Sequence, residues 1–184
     1  MKKVTIFLLT LCMFLAGCSA TGNSQTEQIE YDFRNVNWGM TLEEVIDSEG
    51  REPDNTLGKS DFIEYEDVMF EDLLPMKLTY DFNSSHLFAA GYSMNFYIKD
   101  DNSDYLLEKV TQIQNKITEK YNEPVSIMST LPEKIVKSDR IFYTVLWESD
   151  NTVIKLQLNK KTETREAIVT INYTCKSDID SKEE

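Results

Sequence analysis

Leu87-Phe88-Ala89-Ala90-Gly91-Tyr92-Ser93-Met94-Asn95-Phe96-Tyr97-Ile98 is the stretch that sets the fold class. Phe88, Ala90, Tyr92, Met94, Phe96 and Ile98 alternate with Ala89, Gly91, Ser93, Asn95 and Tyr97. A period of two sends successive side chains to opposite faces of a sheet, so this run reads as a long strand with one buried face and one thinner, more polar face. Two further strand-like runs precede it, Phe62 to Phe70 and Met76 to Phe82, separated by Glu71-Asp72-Leu73-Leu74-Pro75 and by Asn83-Ser84-Ser85-His86. Connections this short and polar join antiparallel neighbours.

Upstream of the meander, Thr41-Leu42-Glu43-Glu44 has the form of a capping box, in which a threonine hydroxyl accepts the amide three residues on and the glutamate reaches back. Leu42, Val45, Ile46 and Glu49 follow helical spacing until Gly50 and Pro53 end the helix. The same order then recurs. Asn102-Ser103-Asp104 supplies a cap, Leu106, Val110, Ile113 and Ile117 form an apolar helical stripe, and the helix should end near Tyr121. After the stretch from Val125 to Asp139, three strands follow at Ile141 to Glu148, Thr152 to Lys160 and Ala167 to Cys175. A helix with a three-stranded meander cannot cover its own sheet, so two such units are expected to share one core. The expected fold is α+β: two tandem helix–three-strand units, 31–100 and 101–176, sharing an antiparallel sheet, with 177–184 as a frayed, charged tail.

Trp38-Gly39-Met40-Thr41-Leu42-Glu43-Glu44-Val45, followed by Gly50 and Pro53, resembles the opening of BamE-like lipoprotein domains, and the doubled arrangement resembles the beta-lactamase-inhibitor-protein-like fold. The family pattern is Gly-Met-Thr, a helix with Val, and Gly-x-Pro; here Arg51 and Glu52 put two residues between Gly50 and Pro53, and the second half lacks the Gly-Met-Thr start. The resemblance implies non-catalytic binding and assembly work in a cell envelope.

The amino terminus carries an address. Lys2 and Lys3 precede an apolar run from Val4 to Ala16, shorter than the roughly 20 residues that span a bilayer, which reads as an export signal over residues 1–17. The run ends in Leu15-Ala16-Gly17-Cys18, which resembles the lipobox of bacterial lipoprotein precursors. That resemblance implies cleavage before Cys18 and lipidation of its thiol, placing the protein on the extracytoplasmic face of a membrane. Residues 18–30, which include SATGNSQTEQIE, have the composition of a flexible tether. Cys12 leaves with the signal and Cys18 is consumed by lipid, so Cys175 remains as a lone thiol, expected in the core.

Charge and composition exclude much else. The chain has 19 Lys+Arg against 32 Asp+Glu, a formal charge of −13, which is the wrong sign for displacing counterions from nucleic acid. Three Cys and one His are too few for zinc or iron–sulfur chemistry, and no cofactor motif is present. His86 beside Ser84 and Ser85 reads as a solvated turn, without the glycine-flanked nucleophile of a hydrolase elbow. Asp100, Asn102 and Asp104 fit the start of a calcium loop, but Tyr105 and Thr111 stand where Gly and Glu are needed.

What remains is surface recognition. Tyr143 and Trp147 are candidate anchors for a partner, because aromatic residues dominate interface hot spots. Glu64 and Glu66, within the acidic run that continues through Asp67, Glu71 and Asp72, are candidate contacts for a basic partner. The expected function is a membrane-anchored module that binds another envelope protein. A small-ligand-binding lipoprotein and, third, a carboxylate-based hydrolase are the alternatives.

Overall fold

The computed structural model describes residues 30–57, 61–99, 103–135, 140–160 and 165–180. The export signal, the tether before Glu30, Cys18, Asp100 and Asn102 lie outside them. In chain order the elements are α1 (Leu42–Glu49), β1 (Asn55–Leu57), β2 (Phe62–Phe70), β3 (Leu74–Asn83), β4 (His86–Tyr97), α2 (Ser103–Tyr121), β5 (Ser126–Met128), β6 (Ile141–Glu148), β7 (Thr152–Lys160), β8 (Glu166–Cys175) and α3 (Lys176–Asp180). Among the described residues no helix is long and apolar enough to cross a membrane.

The fold is α+β, with the eight strands in one antiparallel sheet ordered β1-β2-β3-β4-β8-β7-β6-β5. The last long strand of the sequence therefore lies in the middle, between β4 and β7. Its seam with β4 runs from Ala89↔Thr174 to Tyr97↔Glu166 without a register shift. Each run of three long strands carries one more strand on its outer edge, β1 or β5, where the sequence predicts three strands per unit.

Thr41 caps α1 as expected, its hydroxyl accepting the Glu44 amide while the Glu44 carboxylate accepts from the Thr41 amide at 2.8 Å. Hydrogen bonds donated to that carboxylate by the Thr41 amide and, at 3.1 Å, by the Thr41 hydroxyl hold the Glu44 carboxyl below its usual pKa. The helix ends at Gly50, whose φ of 69° is left-handed backbone that glycine adopts without a Cβ penalty. In α2 the stripe Leu106, Val110, Ile113 and Ile117 is buried as the periodicity predicts.

Both helices lie on one face of the sheet. From α2, Gln114 and Thr118 reach residues of β6, and from α1 Glu49 reaches Tyr80 of β3. The side chains beneath form continuous cross-strand rows: Tyr80, Ala90, Tyr173, Ile154 and Trp147 in one, Leu78, Tyr92, Ile171, Leu156 and Val145 in the next. All ten are buried. Phe33, from the segment before α1, packs its ring against Tyr80, Tyr92 and Tyr173, with centroids 4.6–5.8 Å away.

Three expectations change. The alternation in β4 breaks at its start: Phe82 pairs with Leu87 and Asp81 with Ala89, so Phe88 is the extra residue of a bulge and Leu87 takes the core position. Residues 176–180 are a helical turn rather than a frayed tail, because the Lys176 amide donates to the Asn151 carbonyl and the Lys176 ammonium meets Glu148 at 3.1 Å. Cys175 is half-buried rather than core; it sits at the sheet's end, with Sγ 3.1 Å from the Ser177 hydroxyl.

Candidate interaction face

The face of the sheet opposite α1 and α2 is built from the alternate residues of every strand. Its central rows run Thr79, Gly91, Asn172, Lys155 and Leu146, then Lys77, Ser93, Thr170, Gln157 and Thr144. Most of these are small or polar and partly exposed. Gly91 has a steric reason: a Cβ there would lie 2.6 Å from the Ile171 carbonyl oxygen, so β4 and β8 meet closely only because the side chain is absent. Gln157 donates to the Thr144 hydroxyl at 3.3 Å and Thr79 to the Gly91 carbonyl at 3.4 Å.

One end of this face is apolar. Ile168 and Phe142 stand in the row Asn95, Ile168, Asn159 and Phe142, and Tyr97 lies one row further along β4. Tyr97 is 57% exposed, Phe142 54% and Ile168 40%, which sets them apart from the buried aromatics across the sheet. Near the other end is Asp81, paired with Ala89 and Phe62 across its strands. Burial raises its carboxyl pKa.

Of the residues proposed from sequence, the two aromatics lie on the opposite side of the sheet, whereas Glu64 pairs with Thr79 and so continues a row of this face. Trp147 and Tyr143 are not surface anchors: both are buried beneath α2, where the Trp147 indole N–H donates to Thr118 Oγ1 at 3.2 Å and the Tyr143 hydroxyl to Gln114 Oε1 at 2.6 Å. β6 is apolar on both sides, and its odd-numbered residues face the helix. Phe142, its even-numbered neighbour, occupies the exposed position instead. Glu64 and Glu66 are not a free acidic pair, since Lys77 Nζ lies 2.9 Å from one and 3.2 Å from the other. Those hydrogen bonds, Glu64 first, hold the ammonium above its usual pKa.

A polar cluster on the helix side went unread in the sequence. Arg34 donates through Nε and Nη2 to both oxygens of Glu49, at 2.9 and 3.1 Å, and through Nη1 to the Tyr92 hydroxyl at 2.9 Å; the Tyr80 hydroxyl donates to the same carboxylate. The Glu49 side chain is 6% exposed. Burial, the Glu49 charge and that hydrogen bond push the Tyr80 hydroxyl pKa well up. The available signal was Glu49 itself, a carboxylate on the apolar stripe of α1. Asp32 and Trp38, from the same segment, extend the attachment to the far half: Asn151 donates to Asp32 at 3.3 Å and the Trp38 indole to Thr152 at 2.9 Å. Together these contacts form a structural strap, in which Asn35 Oδ1 alone is buried without a hydrogen-bond partner among the described residues.

His86 Nδ1 faces the backbone carbonyl of Ser84 at 2.9 Å, and the Ser84 hydroxyl donates to Asn83 Oδ1. Among the described residues no group of three or more His, Cys, Asp or Glu side chains is arranged to hold a metal ion. No family model, no curated protein and no solved structure matches the chain.

Proposed function

We propose that this chain is a lipid-anchored, extracytoplasmic module that binds another envelope protein on the open face of its sheet. The observation that carries the reading is that face: a broad surface of small and polar side chains, without either long helix, ending in exposed Phe142, Ile168 and Tyr97. A polar field beside a few exposed apolar anchors is the composition of a recognition surface. The strand order, read outward from the β4–β8 seam, has the same sequence of elements on both sides, which supports a fold built from two tandem helix-and-meander units. The lipobox at Cys18 and the likeness of residues 38–53 to BamE-like domains support attachment at an envelope membrane.

The test is crosslinking in cells and recovery from membranes, comparing the parent with Phe142→Ala, Ile168→Ala and Cys18→Ala. One envelope protein should be recovered with the parent, lost with the two sheet-face variants and lost with Cys18→Ala. Recovery unchanged by both sheet-face variants would remove the open face as the binding surface. Absence of any specific partner, with a ligand-dependent rise in melting temperature, would replace the reading with small-ligand binding.

A further inference from the structure

β5 is a terminal strand of the sheet, so along its outer side the backbone has no strand partner among the described residues. Protein edges of this kind are commonly guarded by charge. This one is not: Pro124-Val125-Ser126-Ile127-Met128-Ser129-Thr130-Leu131-Pro132 holds no ionisable side chain in a chain of net charge −13. It is also apolar and open, with Val125 60% exposed, Ile127 54% and Met128 49%. The opposite edge differs, since β1 follows directly on Asp54 and is itself largely polar, whereas the charges nearest to β5 in the chain, Glu123 and Glu133, lie outside the Pro124–Pro132 segment.

We infer that the β5 edge pairs with the β5 edge of a second copy about a two-fold axis, joining two sheets edge to edge. Charge selects this occupant. Two copies of a strongly acidic chain repel wherever their carboxylates approach, and an uncharged segment is where that repulsion is least. Geometry selects it too. An antiparallel strand edge offers its own N–H and C=O groups to an identical edge, the self-complementarity that a two-fold contact requires. The pairing is confined. Pro124 lacks an amide hydrogen on one side, and Ser129 has a φ of 65° on the other, so the extended backbone ends there and a two-fold pair occupies both β5 edges. This inference does not depend on the open face binding a partner.

The experiment is sedimentation velocity on the full chain in density-matched detergent, over a concentration series, for the parent, Ile127→Lys and Thr56→Lys on the β1 edge. The parent and Thr56→Lys should run as dimers at the upper concentrations, and Ile127→Lys should run as a monomer with the parent's circular dichroism. A parent that stays monomeric throughout overturns the inference. So does a dimer that survives Ile127→Lys, or one that is lost with folded Thr56→Lys. If Ile127→Lys does not fold, Val125→Lys, at a more exposed position outside the strand, is read by the same criteria.

Discussion

Replacing Trp147 with alanine separates an interface role from a core role by a wide margin. Its side chain is fully buried, it stands in the row Tyr80, Ala90, Tyr173, Ile154 and Trp147, and its indole N–H is bonded to Thr118 of α2. Truncating a buried tryptophan costs about 3–5 kcal/mol through lost transfer energy and the cavity left behind. That figure is a large fraction of the roughly 5–15 kcal/mol by which domains are stable, and it corresponds to a melting temperature lower by on the order of 10 °C. Trp147→Phe keeps most of the packing and loses the hydrogen bond, at a cost of about 1–2 kcal/mol. Urea unfolding followed by circular dichroism measures both, with an unchanged m-value confirming that the native state is the same. A Trp147→Ala protein within about 0.5 kcal/mol of the parent would refute the placement of this residue under α2.

Asp81→Asn should raise the melting temperature at neutral pH. The folded-state pKa of Asp81 is raised by burial, so its ionised form opposes folding; the gain should be full above the folded pKa and vanish as pH falls below the unfolded value, which a melting series across the acid range would follow. Arg34→Ala should cost about 2–3 kcal/mol in urea unfolding, because it strands a buried Glu49, while the partial exposure of Arg34 keeps the loss below that of a fully buried pair. Gly91→Ala should cost about 1–3 kcal/mol as β4 and β8 separate to admit a Cβ, and amide exchange should rise along that seam; an unaffected seam would contradict the close approach. Alkaline titration should show phenolate absorbance in separate stages. Burial holds Tyr80, Tyr92, Tyr143 and Tyr173 above the usual value of 10.0 and pushes Tyr65 up to about 12, so their protonated forms stabilise the fold and that contribution is lost as pH rises through their folded pKa values.

Strands such as Ile141–Glu148 and Thr152–Lys160 were legible in the sequence to the residue, because Ser149-Asp150-Asn151 marks the turn between them and the alternation is clean. The helix of residues 42–49 was equally legible, through its capping box and Gly50. β1 and β5 were not, since three residues are too few for a period to emerge. The face of β6 was illegible for a different reason. Tyr143 and Trp147 form one apolar set and Phe142 and Leu146 another, and periodicity separates the sets without saying which meets a helix. Lys77 lies well beyond Glu64 and Glu66 in the chain and reaches them only through the pairing of β2 with β3, so composition presented an acidic run where the fold makes a neutralised cluster.

The central position of β8 also sets the order in which the molecule can be completed. The hairpins β2–β3–β4 and β6–β7 join near neighbours in the chain, whereas the β4–β8 seam closes a long loop containing α2 and β5 to β7. Local pairings form quickly and such closures slowly. A chain still being synthesised therefore holds two unjoined pieces, each with an open edge where β8 belongs. Until residues 166–175 are available to pair, the sheet cannot close.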